Sequence, residues 1–392
     1  MQPENYPLRL FTPDMELLNE IDQYDSMIHT RRWSGVGDFQ LVINQNSVDI
    51  SQLAINNLIM IGNDVNRVGR ILHREAAVDQ AGAESELWTI QGVTLEALLK
   101  TRLHLPQADR DYDRITSNAE TVMKHYFNNN VVAPDEGERH KGIRRKEQVV
   151  IAPDQQRGRR IQWQASYKEL DAELERMSTL TGLGWYCYLD YEQRKWVMDV
   201  SEGRDLTQGQ SDNSPVIFSP EFDSVAEQQF LDSIVDYASV VYVAGQGEGA
   251  ERRIVVVGDG DGLDRREAFV DARDVEEEIE DEETGEMVPR PVEDIDEELR
   301  QRGEEALAEK ARKQSFTCQI IDGSPFKYEE DWDLGDIVTI QNRKWGVTLD
   351  ARIEEVEEVI ERDKGRSLSV TFGHDLPSFI KVIKREMRQS TL

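Results

Sequence analysis

The chain has 392 residues, with 77 Asp or Glu against 46 Lys or Arg and a net charge of −31. That length exceeds what one simple core serves, so two or three folded units are expected, and 38% hydrophobic residues with seven Trp exclude a wholly disordered chain. The charge argues against a nucleic-acid binder, whose affinity comes from Lys and Arg displacing phosphate counterions. No apolar run reaches the length of a membrane span, and the start MQPENYPLRLF has neither the basic nor the apolar region of an export signal, so neither a span nor Sec export is expected.

Residues 1–107 read as a small β-barrel or sandwich closed by a helix. In GDFQLVIN, Phe39, Leu41 and Ile43 alternate with Gln40 and Val42 after a glycine turn, which is strand chemistry. NLIMIGND and RVGRILHREAAVD add strands, and SELWTIQGVTLEALLKTRLHLP runs from a strand into a short helix with Leu95, Leu98, Leu99 and Leu103 on one face, stopped before Pro106.

Residues 108–215 read as an α+β module. Ser117 and Glu120 form a predicted capping box ahead of a helix burying Val122, Met123, Tyr126 and Phe127. A second helix on Leu170, Leu174 and Met177 ends near Gly182, followed by a hairpin of WYCYLD with KWVMDV.

Residues 216–375 return to strands, interrupted at 274–313 by an acidic insertion and a charged helix. Between Asp274 and Glu309 lie 17 acidic residues and 3 Arg. In the last strands, ARIEEVEEVIERDKGRSLSVTF has two readings. Ile353, Val356, Val359 and Ile360 make a helical stripe, but they are also β-branched residues ahead of an Asp363-Lys364-Gly365 turn, which suits a bulged hairpin arm. Residues 376–392 read as an amphipathic tail with Phe379, Ile380, Ile383 and Met387 on one side.

Motifs for chemistry are weak. GQGEGAERR leads into another strand, not the helix a dinucleotide loop requires, so it reads as a hairpin tip. GDGDGLD lacks an EF-hand's twelfth-position Glu, having Val270 there. Cys187 and Cys318 lie in strand-like surroundings, far apart, and read as reduced core residues with no zinc spacing. His29, His73, His104, His125, His140 and His374 form no paired motif, and no serine lies in a GxSxG elbow. No catalytic residue, metal or cofactor is expected. The single cationic cluster, Arg139, His140, Lys141, Arg144, Arg145 and Lys146, reads as a solvated loop or as a contact for an acidic neighbour, including another copy's 274–309 stretch.

Taken in order, GDFQLVIN, GVTLEALLKTR, GLGWYCYLDYEQRKWVMDVSEGRDLT and the terminal LGDIVTI…ARIEEVEEVIERDKGRSLSVTFG resemble the ReqiPepy-type tail hub proteins of long-tailed phages, from about residue 8 to 375. The resemblance implies a mainly β, α+β chain: two related tube-type β-barrels with an inserted α+β module, like a baseplate hub. It implies strand, not helix, for 351–360. It also implies a non-catalytic homotrimer in the virion tail, assembled in the host cytoplasm, whose pseudo-sixfold ring joins a distal tail or tail tube protein to tip or fibre proteins, with the tape measure protein as a further partner. Candidate inter-subunit contacts are Arg139, Arg144, Arg145, Lys146, Ile380, Ile383 and Met387. Readings of another class are a tail-associated cell-wall hydrolase and a host-surface binding module.

Overall fold

Alternation in sequence becomes alternation in burial. In the strand Asp38–Asn44, Phe39, Leu41 and Ile43 are buried while Gln40 and Val42 are half-exposed. The computed structural model describes residues 6–78, 84–106, 110–134, 143–280, 286–321, 323–362 and 364–373. The chain is mainly β, with 44% strand and 18% helix.

Among the described residues, fourteen strands form one sheet. Its main path, antiparallel throughout, runs Leu17–Ile21, Leu8–Phe11, Leu58–Ile61, Val68–Val78, Glu84–Thr94, Asp38–Asn44, Ser26–Arg32, Val347–Glu361, Gly365–Gly373, Lys313–Ile320, Val225–Ser233. The strand Ile337–Asn342 branches from the first half of Val347–Glu361 and carries Asp205–Leu206 and Ile217–Phe218 in parallel. Among the described residues this ladder is open, and its end strands do not pair to close a barrel.

The strand Val347–Glu361 carries both reasons for its ambiguous sequence. Its pairing with Gly365–Gly373 shifts register between Ile353 and Glu355, a bulge that spends one residue without advancing the ladder. Ala351, Ile353, Val356, Glu358 and Ile360 are therefore buried, and the apolar spacings of three and four that imitate a helix are a strand with one extra residue. The same strand ties the two halves together. Residues 355–361 pair with Ser26–Arg32, and Ile360 joins the core of Leu8, Leu41, Ile43, Ile71 and Ile90, whereas Ile353 and Val356 join the core of Phe218, Phe316, Trp332, Val338 and Phe372.

The middle of the chain packs on the other face of the first unit. Leu58–Ile61 is buried on both sides. Ile59 and Ile61 enter the first core, and Leu58 and Met60 enter the core built by helix α1 (Ala119–Phe127) and helix α2 (Leu170–Thr181). Val122, Met123, Tyr126 and Phe127 form the fully buried stripe expected of α1. The capping box does not form. Ser117 lies in the strand Asp113–Asn118, Asn118 stands at the N-cap, and Glu120 instead bonds Lys124 Nζ (2.7 Å) and accepts from Arg157 N (2.9 Å). Helix α2 ends where expected, on Gly182 with φ +78°. The leucine face after Thr94 is shorter than predicted: Leu95, Leu98 and Leu99 are buried in a 3-10 turn, but Leu103 is 49% exposed.

Between the paired strands Val225–Ser233 and Lys313–Ile320, residues 234–312 stand off the main ladder. Val240–Ala244 lies between Ile254–Gly258 (antiparallel) and Glu267–Asp271 (parallel). Helix α3 (Val292–Glu309) covers one face of this sheet, setting Ile295 and Leu299 against Val241, Val243, Val255 and Val257. Gly303 permits the close approach, since a Cβ there would lie 2.4 Å from Val257.

Candidate functional site

The most constrained chemistry of the molecule lies where its parts meet, and three joints can be separated. The first joins the two halves of the main ladder. Arg67, 4% exposed at its side chain, reaches Asp64 (3.1 Å), Glu329 (2.5 Å) and Glu358 (3.0 Å), and Glu358, itself 3% exposed, also pairs with Arg366. Arg31 donates to the Tyr328 hydroxyl (2.7 Å) and to Asp333 (3.1 Å). The guanidinium groups of Arg67 and Arg366 lie 5.5 and 5.6 Å from the Tyr328 ring. Burial pushes the Tyr328 phenol up to about 12 against the pull of Arg31, and burial raises the Glu329 carboxyl although Arg67 opposes it. His29, buried beside this group, is lowered to about 3 by burial and then by Arg31 and Arg67. Arg31 and Arg67 of the first half meet Asp333, Glu329 and Glu358 of the second, so separating the halves takes from each of these groups its partner across the joint.

The second joint is a wedge where three parts meet. Trp33, 6% exposed, donates from Nε1 to Gly182 O (3.1 Å) and lies under Arg352 at 5.0 Å. A Cβ on Gly184 would meet the Trp33 ring at 2.4 Å, and one on Gly335 at 1.9 Å, so both positions require glycine. Arg352 donates to Glu202 O (2.7 Å) and Gly335 O (2.5 Å), tying the end of the middle module to the second half. Beside the wedge a cleft of about 410 Å³ is lined by Ser178, Arg312, Asp350, Glu354 and Gly373 among others. Burial raises the Glu354 carboxyl to about 7, with Arg352 acting against the rise.

The third joint fastens the acidic region to the middle module. Gln162 N donates to Gln301 Oε1 (2.8 Å) and Gln301 returns a bond to Gln162 O. Around this pair Arg159 meets Glu304 (2.8 Å), Arg176 meets Glu305 (2.8 Å) and Glu309 (3.4 Å), and Arg114 meets Glu276 (3.3 Å). Much of the acidity of 274–309 is thus used within the chain. A cleft of about 570 Å³ beside the joint is lined by Lys168, Glu173, Arg176, Asp274, Arg302 and Glu305 among others.

Three of the residues proposed from sequence as contacts, Arg144, Arg145 and Lys146, lie among the described residues. Arg144 is half-buried and donates to Leu103 O (2.7 Å) and Asn130 Oδ1 (3.3 Å), while Arg145 and Lys146 are exposed. Arg139, Ile380, Ile383 and Met387 lie outside the described residues. Sequence reading passed over the joints because their parts, Arg31, Arg67, Tyr328, Glu329 and Glu358, are far apart in the chain; the signals it contained were the glycines at 184 and 335 and an acidic residue, Glu358, inside an apolar stripe.

One polar cluster has the residue types of catalysis. Asp113 lies 2.8 Å from His125 Nε2 and 3.3 Å from His104 Nε2, and accepts from Asn129 (3.1 Å). Burial works to raise the Asp113 carboxyl, but these hydrogen bonds hold it well below the usual range. With His104 fully buried, the group fastens the Leu103–Leu105 segment to α1, a structural task. Cys187 and Cys318 are buried and unpaired, and burial pushes the Cys318 thiol up to about 12. Among the described residues no group of His, Cys, Asp and Glu is arranged to hold a metal, and no helix is long and apolar enough to cross a membrane.

Residues 7–374 match the Siphovirus ReqiPepy6 Gp37-like protein family. The chain belongs to that family. Curated proteins give no match. Similar solved structures include a tail protein from Neisseria meningitidis MC58 (13% identity, TM-score 0.54, covering 95% of this chain and 96% of that one) and the 43 kDa tail protein of prophage MuSo2 from Shewanella oneidensis (14%, 0.52, 93% and 98%). A third is prophage tail protein gp18 from Listeria monocytogenes EGD-e (11%, 0.52, 97% and 98%). At these identities the likeness is one of fold, and it extends over nearly the whole of each chain.

Proposed function

We propose that this family member is a structural protein of the phage tail, a hub at the tail tip or baseplate. Three copies form a ring, and the two β-rich halves of each copy supply six similar positions around a bore through which DNA leaves. The first half takes residues 1–107, the α+β module 108–215 stands to the side, and the second half takes 216–375. The ring joins the distal tail or tail tube protein to the tip or fibre proteins and meets the tape measure protein.

The observation that carries this reading is the shared strand. Val347–Glu361 contributes to the cores of both halves and pairs with strands of both, so one chain holds two β-units at a fixed angle, as a ring of three chains with six positions requires. Membership of a siphovirus family and a fold shared with prophage tail proteins support it. The net charge of −31 suits a channel that repels DNA and does not retain it. The test is the mass of the purified protein by light scattering across a salt series, with one chain at 45.0 kDa. A trimer, at low salt or once salt screens the acidic repulsion, is the expected result. A monomer at every salt, together with its absence from the tips of purified tails by immuno-electron microscopy, overturns the proposal.

A further inference from the structure

The sheet of residues 240–271 has two faces, and α3 covers one of them. On the other, the register aligns Val256, Tyr242 and Phe269 in a single row across the three strands. Val256 is 52% and Phe269 62% exposed, and Ile254 on the same face is 48% exposed. Two arginines frame the row. Arg252 reaches over Phe269 and bonds Asp271, while Arg265 reaches over Tyr242 and bonds both its hydroxyl (2.8 Å) and Glu267 (2.6 Å). An apolar row this wide on an otherwise charged chain calls for a cover.

We infer that the cover is the chain's own C-terminal segment, residues 376–392. Three observations favour it. The first is position. Gly373, the last described residue, is in register with Ser315, and Arg312, a few residues before it, lines the same cleft; Lys310 O accepts from Ala238 N (3.1 Å) at the base of the 240–271 sheet. The second is length. Seventeen residues span about 25 Å as a helix, longer than the roughly 17 Å of a five-residue strand, and residues 374–375 add reach as a linker. The third is complementarity. Residues 376–392 place Leu376, Phe379, Ile380, Ile383 and Met387 at helical spacing and carry four basic residues against one acidic, whereas the sheet stretch 240–271 carries 7 acidic against 4 basic. An apolar stripe meets an apolar row, and a cationic flank meets an anionic surround.

The buried state of Cys187 and Cys318 allows a direct test, because introduced cysteines are then the accessible thiols. The full chain carrying Val256→Cys and Ile383→Cys is treated with a short bis-maleimide. The expected product is cross-linked within one chain, seen as a faster band at single-chain mass and as a joined peptide pair after digestion. Charge reversal of Lys381 and Lys384 to Glu lowers its yield by about threefold at low salt, with the difference closing at 1 M salt. A product at twice the chain mass overturns the assignment in favour of a second copy. Absence of any cross-link overturns it as well, provided both thiols label singly. As a second readout, ending the chain after residue 375 is expected to speed hydrogen exchange in Ile254–Gly258 and Glu267–Asp271; unchanged exchange there counts against the inference. Because the product is intramolecular, it forms in monomer and trimer alike, and its failure is separate from failure of the ring.

Discussion

The joint between the two β-halves and the joint between the acidic region and the middle module use the same residue types in opposite ways. In the first, Arg67 and Glu358 are almost fully buried at 4% and 3% side-chain exposure, and the halves are also laced by backbone pairing of Glu355–Glu361 with Ser26–Arg32. At the joint of the acidic region, Arg159 and Glu304 are 49% and 38% exposed, Arg176 is 34% exposed against a buried Glu305, and side chains with the Gln162–Gln301 exchange make the link. Buried ions cost desolvation and give register; exposed ones give little energy and respond to salt. The joint between the β-halves is therefore expected to persist until global unfolding, and the joint of the acidic region to open first.

The largest effect is expected at the wedge, where Trp33 meets the middle module and the second half. Gly335 has φ +90° and no room for a Cβ against Trp33, so Gly335→Ala adds backbone strain to a collision. A loss of about 4 kcal/mol or failure to fold is expected, read as the urea midpoint, and Trp33→Ala in the same chain should recover part of it. An unchanged midpoint in Gly335→Ala would show that the wedge is not tight. Next in size is Arg67→Met, which leaves Glu358 buried without one of its two partners and should cost about 3 kcal/mol in the same measurement, with the two halves still unfolding together.

The joint of the acidic region should yield to less. Arg159→Ala, which removes a pair exposed on both sides, is expected to cost less than about 1 kcal/mol globally while raising hydrogen exchange in α3 well above that of Ser26–Arg32. Moving wild type from 0.1 to 1 M NaCl should act in the same direction. Equal exchange in α3 and in the main ladder under both treatments would erase the contrast between the joints.

What could be read from the sequence follows the same division. Strands whose burial alternates within a short window, such as Asp38–Asn44, and helices with a continuous stripe, such as α1, were legible because the signal is local. The strand at 347–361 was legible only with help, since its bulge converts a period of two into helical spacings. Glu120 was misread as a cap because Lys124 and Arg157, which claim it, are set by the tertiary fold. The acidic stretch announced itself by charge, but its attachment did not: the strands flanking 234–312 pair with each other, and Arg114, Arg159 and Arg176 approach from more than a hundred residues away. Long-range ion pairs leave no periodicity.

The smallest effects distinguish the joints by pH, and two buried groups act with opposite sign. His29, held neutral down to about 3 against an ordinary value near 6.5, makes the folded state bind fewer protons than the unfolded one between those limits. Stability at the first joint is thus full above pH 6.5 and falls as the pH drops, by roughly 1 to 2 kcal/mol on reaching pH 5. Glu354, raised to about 7, makes the folded state bind more protons between its ordinary value and 7, so its burial costs stability above pH 7 and the cost fades toward pH 4.5. Replacing each by glutamine separates them. His29→Gln should flatten the loss of stability on the acid side, and Glu354→Gln should raise stability at pH 8 by about 1 kcal/mol, allowing for its partial exposure, with little change at pH 5. Urea midpoints of the two variants against wild type from pH 5 to 8 are the measurement. If Glu354→Gln gained as much at pH 5 as at pH 8, its carboxyl would not be the titrating group in the cleft, and the alkaline limit of the wedge would have to come from another residue.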